Sequence, residues 1–74
     1  MKNRKEIIER IEYYLKKQNM SRYKLAKKSG ISESTIENMF FRGTAPNIIS
    51  IQKIVYNGFG ITMAEFFEET EETD

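Results

Sequence analysis

The sequence predicts an all-α protein, a compact bundle of five short helices around one core. Apolar residues recur at helical spacing, and capping motifs stand before several of the apolar segments. No segment alternates strictly between apolar and polar residues, as a half-buried strand would. The 74 residues leave room for one small domain, which buries only about 60% of the surface that its unfolded chain exposes.

The first helix is predicted over residues 4–18. Its apolar residues are Ile7, Ile8, Ile11, Tyr14 and Leu15. Their spacing puts them on one face of a helix, while the charged residues of the segment fall on the other faces. This apolar face is therefore expected to pack in the core.

Helices 2, 3 and 5 are predicted from a motif shared by their starts. A capping residue, Ser21, Ser32 or Thr62, has one apolar residue just before it and another four residues after it. This pattern is a hydrophobic staple, in which two side chains pack and fix the direction of chain entry. Glu65 completes a capping box with Thr62, and Asn47 is a fourth candidate cap.

The caps and glycines set the expected bounds of the later helices. Helix 2 is predicted over residues 21–29, helix 3 over 32–41, helix 4 over 47–58 and helix 5 over 62–69, with a loop over 42–46. Gly30 and Gly60 are expected to end helices 2 and 4. The residues expected to face inward are Ile36, Met39 and Phe40 in helix 3, Ile48, Ile51, Ile54 and Val55 in helix 4, and Phe66 in helix 5.

Helices 2 and 3 are separated by little more than Gly30 and Ile31. Glycine adopts the left-handed conformation that turns a chain sharply, and Ile31 is expected to enter the core beneath the turn. A tight helix pair with glycine in its turn is typical of a helix-turn-helix motif, here over residues 21–41. The second helix of such a motif can enter the major groove of DNA.

Charge is distributed unevenly along the chain. Residues 1–64 hold all 12 lysines and arginines but only five acids, a net charge of +7, whereas residues 65–74 carry −6. A basic body attracts polyanions such as nucleic acid, although a merely solvated surface is the alternative. We predict a DNA-binding domain over residues 1–69 and a flexible acidic tail over 70–74.

Several function classes are disfavoured by composition. Cysteine and histidine are absent, which removes thiolate zinc sites, disulfides and the commonest general base. No apolar run approaches the roughly 20 residues that span a bilayer, and the charged start is not a signal peptide. We therefore expect a cytoplasmic protein that is not an enzyme, with no cofactor, metal ion, small-molecule ligand or membrane partner.

A set of motifs follows one order along residues 20–67: Ser21, Leu25-Ala26, Gly30-Ile31-Ser32, Ser34-Thr35-Ile36, Pro46, Ile51, Ile54, Phe59-Gly60-Ile61 and Glu65-Phe66-Phe67. In this order and spacing the set resembles the Cro/C1-type, or Xre-type, helix-turn-helix domain of phage and bacterial repressors. The resemblance implies a lambda-repressor-like fold and a small transcriptional regulator, a repressor, that binds double-stranded DNA as a homodimer. The chain departs from the family over residues 40–46, where the glycine is displaced by one position and two phenylalanines replace polar residues.

The resemblance implies that helix 3 reads bases through Glu33, Ser34, Glu37 and Asn38. Asparagine pairs with adenine and glutamate accepts from cytosine, whereas this face has no arginine or lysine for guanine, so we predict an A·T-rich operator. The alternatives are that Glu33 stabilises the helix dipole, and that Glu37 repels phosphate.

Phosphate contacts are expected from the start of helix 2, from helix 3 and from the loop after it. The candidates are Ser21, Arg22, Ser32, Thr35, Arg42, Gly43 and Thr44. Simple capping is the alternative for Ser32. Lys27 and Lys28 are expected to add long-range attraction, with a solvated face as their alternative.

A dimer surface near helix 5 is implied by the same resemblance, with Ile61, Met63 and Phe67 as candidate contacts. The alternative is that these residues complete the core of the monomer. Phe41 lies past the inward face of helix 3, where it covers the loop or joins a dimer contact. A different class of function is a protein-interaction module, such as an antitoxin-like domain or a fragment of a larger regulator.

Overall fold

The computed structural model describes residues 4–68, and every regular element in that range is helical. The elements are α1 (Arg4–Lys17), α2 (Arg22–Ser29), α3 (Glu33–Arg42), α4 (Ile48–Gln52), a π segment (Lys53–Phe59) that continues α4, and α5 (Met63–Phe66). The prediction of an all-α bundle of five helices is thus confirmed. None of the helices described is long and apolar enough to cross a membrane.

All four predicted N-caps form. Each cap residue has an extended backbone, and its side chain accepts a hydrogen bond from the amide three residues further on. The donor–acceptor distances are 3.0 Å at Ser21, 3.2 Å at Ser32, 2.8 Å at Asn47 and 3.0 Å at Thr62. A cap of this kind typically contributes about 1 kcal/mol, so the helix starts are defined locally by the sequence.

Two positions are occupied by glycine for different structural reasons. Gly30 ends α2 with φ +75°, a left-handed conformation, and its amide donates to the carbonyl of Ala26 at 3.0 Å. Gly58 lies where the π segment crosses α2, and a Cβ added there would lie 2.5 Å from Cδ1 of Leu25. Conformation selects glycine at the turn, whereas close approach of two helices selects it at position 58.

The core is built from all five helices. Its fully buried large side chains are Ile11, Leu25, Ile36, Ile54, Val55 and Phe66. The ring of Tyr14 lies between two others, with centroids 5.4 Å from Phe59 and 6.0 Å from Phe66. These contacts connect α1 to both C-terminal elements.

Helix 1 is also tied to the end of α5 by hydrogen bonds. The Arg10 guanidinium donates from Nε to the carbonyl of Phe66 at 2.8 Å and from Nη2 to the carbonyl of Glu68 at 3.2 Å. The last carbonyls of a helix have no hydrogen-bond donors within that helix. Here an arginine from another helix supplies the missing donors.

The prediction for helix 4 was wrong in two respects. The helix changes from α to π geometry at Lys53, and Ile48 is 57% exposed rather than inward. Side chains on a helix lean toward its N-terminus, so Ile48, in the first turn, leans past the helix end. Ile51, Ile54 and Val55 are buried as predicted.

Other helix bounds also differ from the prediction. Helix α5 ends at Phe66 rather than at residue 69, and Arg42 belongs to the last turn of α3 rather than to the loop. Phe40 is half-buried, whereas its neighbour Met39 is buried as expected.

Candidate nucleic-acid interface

The corner between α2 and α3 is anchored from within. Ser29 is buried at the end of α2, and its hydroxyl donates to the carbonyl of Leu25 at 2.7 Å. Ile31 follows Gly30 and packs, half-buried, against the core as predicted. The corner therefore holds α3 against α2 and leaves the far side of α3 facing solvent.

The outward face of α3 is polar. All six residues that the sequence places there are exposed: Ser32, Glu33, Ser34, Thr35, Glu37 and Asn38. Ile36 and Met39, on the opposite face, are buried. The four candidate base readers therefore share an accessible helical surface of the shape that a major groove admits.

Ser32 is a structural residue at the start of this face. Its Oγ accepts from the amide of Thr35 at 3.2 Å and lies 2.7 Å from the hydroxyl of Thr35 and 3.3 Å from that of Ser34. These contacts support the capping interpretation of Ser32. They also connect the three hydroxyls, so a contact of Ser34 or Thr35 with DNA would involve the cap.

Arg22 and Glu37 form an ion pair that the sequence analysis did not predict. Nη1 of Arg22 lies 2.9 Å from Oε1 of Glu37, and the guanidinium carbon lies 4.0 Å from the centroid of the Phe40 ring. A candidate phosphate contact and a candidate base reader are thus partners. Sequence gives no signal for this pair, because its 15-residue separation spans two helices whose relative angle is set by packing.

The end of α3 uses its backbone amides internally. Gly43 has φ +68°, and the amides of Gly43 and Thr44 both donate to the carbonyl of Met39. A contact of Gly43 with phosphate would require its amide to leave that carbonyl. The side chains of Arg42 and Thr44 are exposed and are the better placed donors.

An open cleft of about 460 Å³ lies between the C-terminal half of α3 and the start of α4. Its lining includes Thr35, Asn38, Arg42 and Thr44, which sequence reasoning assigned separately to base reading and phosphate contact. The structure brings these four residues together in the lining of one cleft. A guanidinium, an amide and two hydroxyls in one cleft can contact both a phosphate and a base edge.

The exposed surface of α2 carries further cations. Lys24, Lys27 and Lys28 are exposed along α2, and Nζ of Lys27 lies 5.5 Å from the centroid of the Tyr23 ring. Among residues 4–68, no cluster of acids is arranged to hold a metal ion. The described surface near α2 and α3 is therefore dominated by positive charge and neutral polar groups, apart from Glu33 and Glu37.

The candidate dimer residues lie in α5 or beside it. Ile61, Met63 and Phe67 are half-buried and pack against the core. Phe41 is by contrast 86% exposed, the most accessible of the large apolar side chains described. The acidic tail over 70–74 and residue 69 lie outside the described residues.

Comparison with protein families identifies the motif at the centre of this site. A family model described as helix-turn-helix, of the Cro/C1 and Xre-like type, matches residues 11–55. The match runs from α1 into the π segment and includes the whole α2–α3 corner. Comparison with curated proteins and with solved structures gave no significant match.

Proposed function

Because the chain belongs to the Cro/C1-type helix-turn-helix family of DNA-binding regulators, we propose that it is a sequence-specific transcriptional repressor. Helix α3 would lie in the major groove of double-stranded DNA. The observation that carries the proposal is the exposed polar face of α3, held outward by the buried residues Ile36 and Met39.

Base reading is assigned to outward residues of α3 other than Glu37, whose carboxylate is paired with Arg22. Asn38 is the principal candidate, because its amide can donate to and accept from one adenine edge. Glu33 and Ser34 lie in the first turn of the same face. The absence of arginine and lysine from the exposed positions 33, 34, 35, 37 and 38 favours an A·T-rich operator.

Phosphate contacts are assigned to both sides of this face. Ser21 and Arg22 lie at the start of α2, Ser32 and Thr35 at the start of α3, and Arg42 and Thr44 at its end. Such contacts fix the register of the domain on the duplex but carry little sequence information. Arg42 is the main candidate, because its side chain is exposed beside the cleft that Asn38 also lines.

We further propose that two copies act together on DNA. One small domain reads a short half-site, and a twofold dimer doubles the contacted sequence. Ile61, Met63 and Phe67 remain the proposed contacts from the family resemblance. The exposure of Phe41 supports a second apolar contact at the end of α3.

Selection of bound sequences from a random duplex pool at physiological salt tests the proposal, followed by titration of the selected duplex against salt. We expect an enriched, twofold-symmetric site with half-sites about 10 base pairs apart and a steep dependence of affinity on salt. A single enriched half-site would reject the dimer. No enrichment and no binding at low salt would reject DNA binding and favour a protein-interaction module.

A further inference from the structure

We propose that Glu37 controls DNA affinity through Arg22 and does not read bases. In this inference, which rests on the proposed DNA-binding function, the carboxylate neutralises the Arg22 guanidinium and competes with DNA phosphate for it in the complex as well as in the free protein. Glu37 is then a residue that lowers affinity for every DNA sequence, specific or not.

The geometry places three groups together at the junction of α2 and α3. Arg22 is the first residue of α2, while Glu37 and Phe40 lie three residues apart on one face of α3. Nη1 of Arg22 lies 2.9 Å from the Glu37 carboxylate, and the guanidinium carbon lies 4.0 Å from the Phe40 centroid. The guanidinium therefore contacts a ring and a carboxylate at the same time.

The ion pair is accessible to an incoming phosphate. The side chains of Arg22 and Glu37 are 39% and 49% exposed. Within residues 4–68, the bond to Glu37 is the single hydrogen bond of the Arg22 side chain, and it uses one of five N–H donors. The other donors remain available to a second anion.

The stack on Phe40 favours exchange of the anion bound to Arg22. An exposed ion pair is weak and is readily given up. A guanidinium within about 6 Å of a ring centroid is also held by the ring, so Arg22 stays in position when the carboxylate is replaced. Phosphate offers a guanidinium two parallel hydrogen bonds and is a strong competitor for it.

The ion pair affects the net charge of the DNA-binding face and not the choice of DNA sequence. A paired Arg22 contributes no net charge to the DNA-binding face, whereas an unpaired Arg22 contributes one. Each phosphate neutralised by a protein cation steepens the salt dependence of binding by about 0.9. Because phosphate displaces the carboxylate only in part in the unmodified complex, removal of the Glu37 charge should add up to about one phosphate equivalent on any duplex.

The experiment measures affinity against salt for Glu37→Gln on a mixed-sequence duplex and on the selected operator. We expect tighter binding by a similar, several-fold factor on both duplexes and a slope steeper by up to about 0.9. In an Arg22→Gln background, we expect Glu37→Gln to leave the slope nearly unchanged. Thermal unfolding of each variant confirms that the fold is retained.

Glu33→Gln on the mixed-sequence duplex is the matched control, because Glu33 is an exposed acid of the same helix that has no cation partner among the described residues. Its effect should be the same in both Arg22 backgrounds. Equal steepening by Glu37→Gln in both backgrounds would overturn the proposal and show direct repulsion of phosphate.

Other results of the Glu37→Gln titrations would also decide the role of Glu37. A loss of affinity confined to the selected operator would show that Glu37 reads bases, and an unchanged affinity and slope would show that the pair has no role. If the unmodified protein binds no DNA in a salt-dependent way, the inference and the proposed function fail together. If the unmodified protein binds and Glu37→Gln has no effect, the inference alone fails.

Discussion

Two regions of the molecule start their helices alike but differ in helix geometry. The helix-turn-helix region, residues 21–43, and the C-terminal region, residues 47–68, both start each helix with a side-chain cap and end a helix at a left-handed glycine. The first region keeps regular α geometry throughout. The second changes to a π segment, contacts α2 through Gly58 and ends in a helix of four residues.

The difference separates two sources of structure. The helix-turn-helix region presents a polar outer face, and regular α geometry is sufficient to place these polar residues on one side of α3. The C-terminal region must instead fit its backbone against α2, so tertiary packing modifies its local geometry. The helices of the proposed recognition surface thus have regular α geometry, whereas the π segment lies in the region that packs behind them.

Phe66→Ala should have the largest effect and tests whether the short C-terminal helix supports the fold. Phe66 is fully buried and stacks near Tyr14, so its removal leaves a cavity and should destabilise the protein by about 3–5 kcal/mol. Urea unfolding measures the change. Phe67→Ala, at the half-buried neighbour, is the control and should have a clearly smaller effect.

Gly58→Ala tests the close contact between the π segment and α2. The added Cβ would lie 2.5 Å from Cδ1 of Leu25, and because Leu25 is fully buried it has little room to move. We expect a loss of about 1–3 kcal/mol in the free energy of unfolding. Asn57→Ala, at an exposed neighbour, should change stability by less than about 0.5 kcal/mol, and equal losses would argue against crowding.

Asn38→Ala tests the helix-turn-helix region on its outer face. Because Asn38 is exposed, unfolding should be almost unaffected, while binding to the selected operator should weaken by about 1–3 kcal/mol. Titrations of the operator and of a mixed-sequence duplex measure the two affinities. The same loss on both duplexes would remove Asn38 from the base readers.

Arg42→Ala, at the end of α3 between the two regions, should give the smallest change in DNA affinity. It removes one proposed phosphate contact, so affinity should fall on every sequence and the salt slope should decrease by about 0.9. The slope comes from titrations at several salt concentrations. An unchanged slope would mean that Arg42 does not contact phosphate.

Much of the fold could be predicted because local rules determine it. The four caps, the turn at Gly30 and the inward positions Ile36 and Met39 each depend on residues within one turn of a helix. The exposure of the α3 face follows from the same spacing. Hence the all-α bundle and the candidate reading face were accessible from sequence alone.

What could not be predicted depends on the relation between helices. The Arg22–Glu37 pair and the contact of Gly58 with Leu25 join positions that are distant in sequence. The exposure of Ile48 depends on where the core ends, which periodicity does not show. Sequence therefore assigned Glu37 to a face correctly but gave no indication of its partner.

The bonds from Arg10 to the end of α5 have a consequence for the order of assembly. Arg10 and its acceptor at Phe66 are separated by 56 residues, whereas the contacts that cap α2 and α3 span three. During synthesis, the arginine has no carbonyl to bind until the chain has been made as far as Phe66. The hydrogen bonds that join α1 to the end of α5 therefore need almost the whole of the described chain, whereas those that cap α2 and α3 need only a few neighbouring residues.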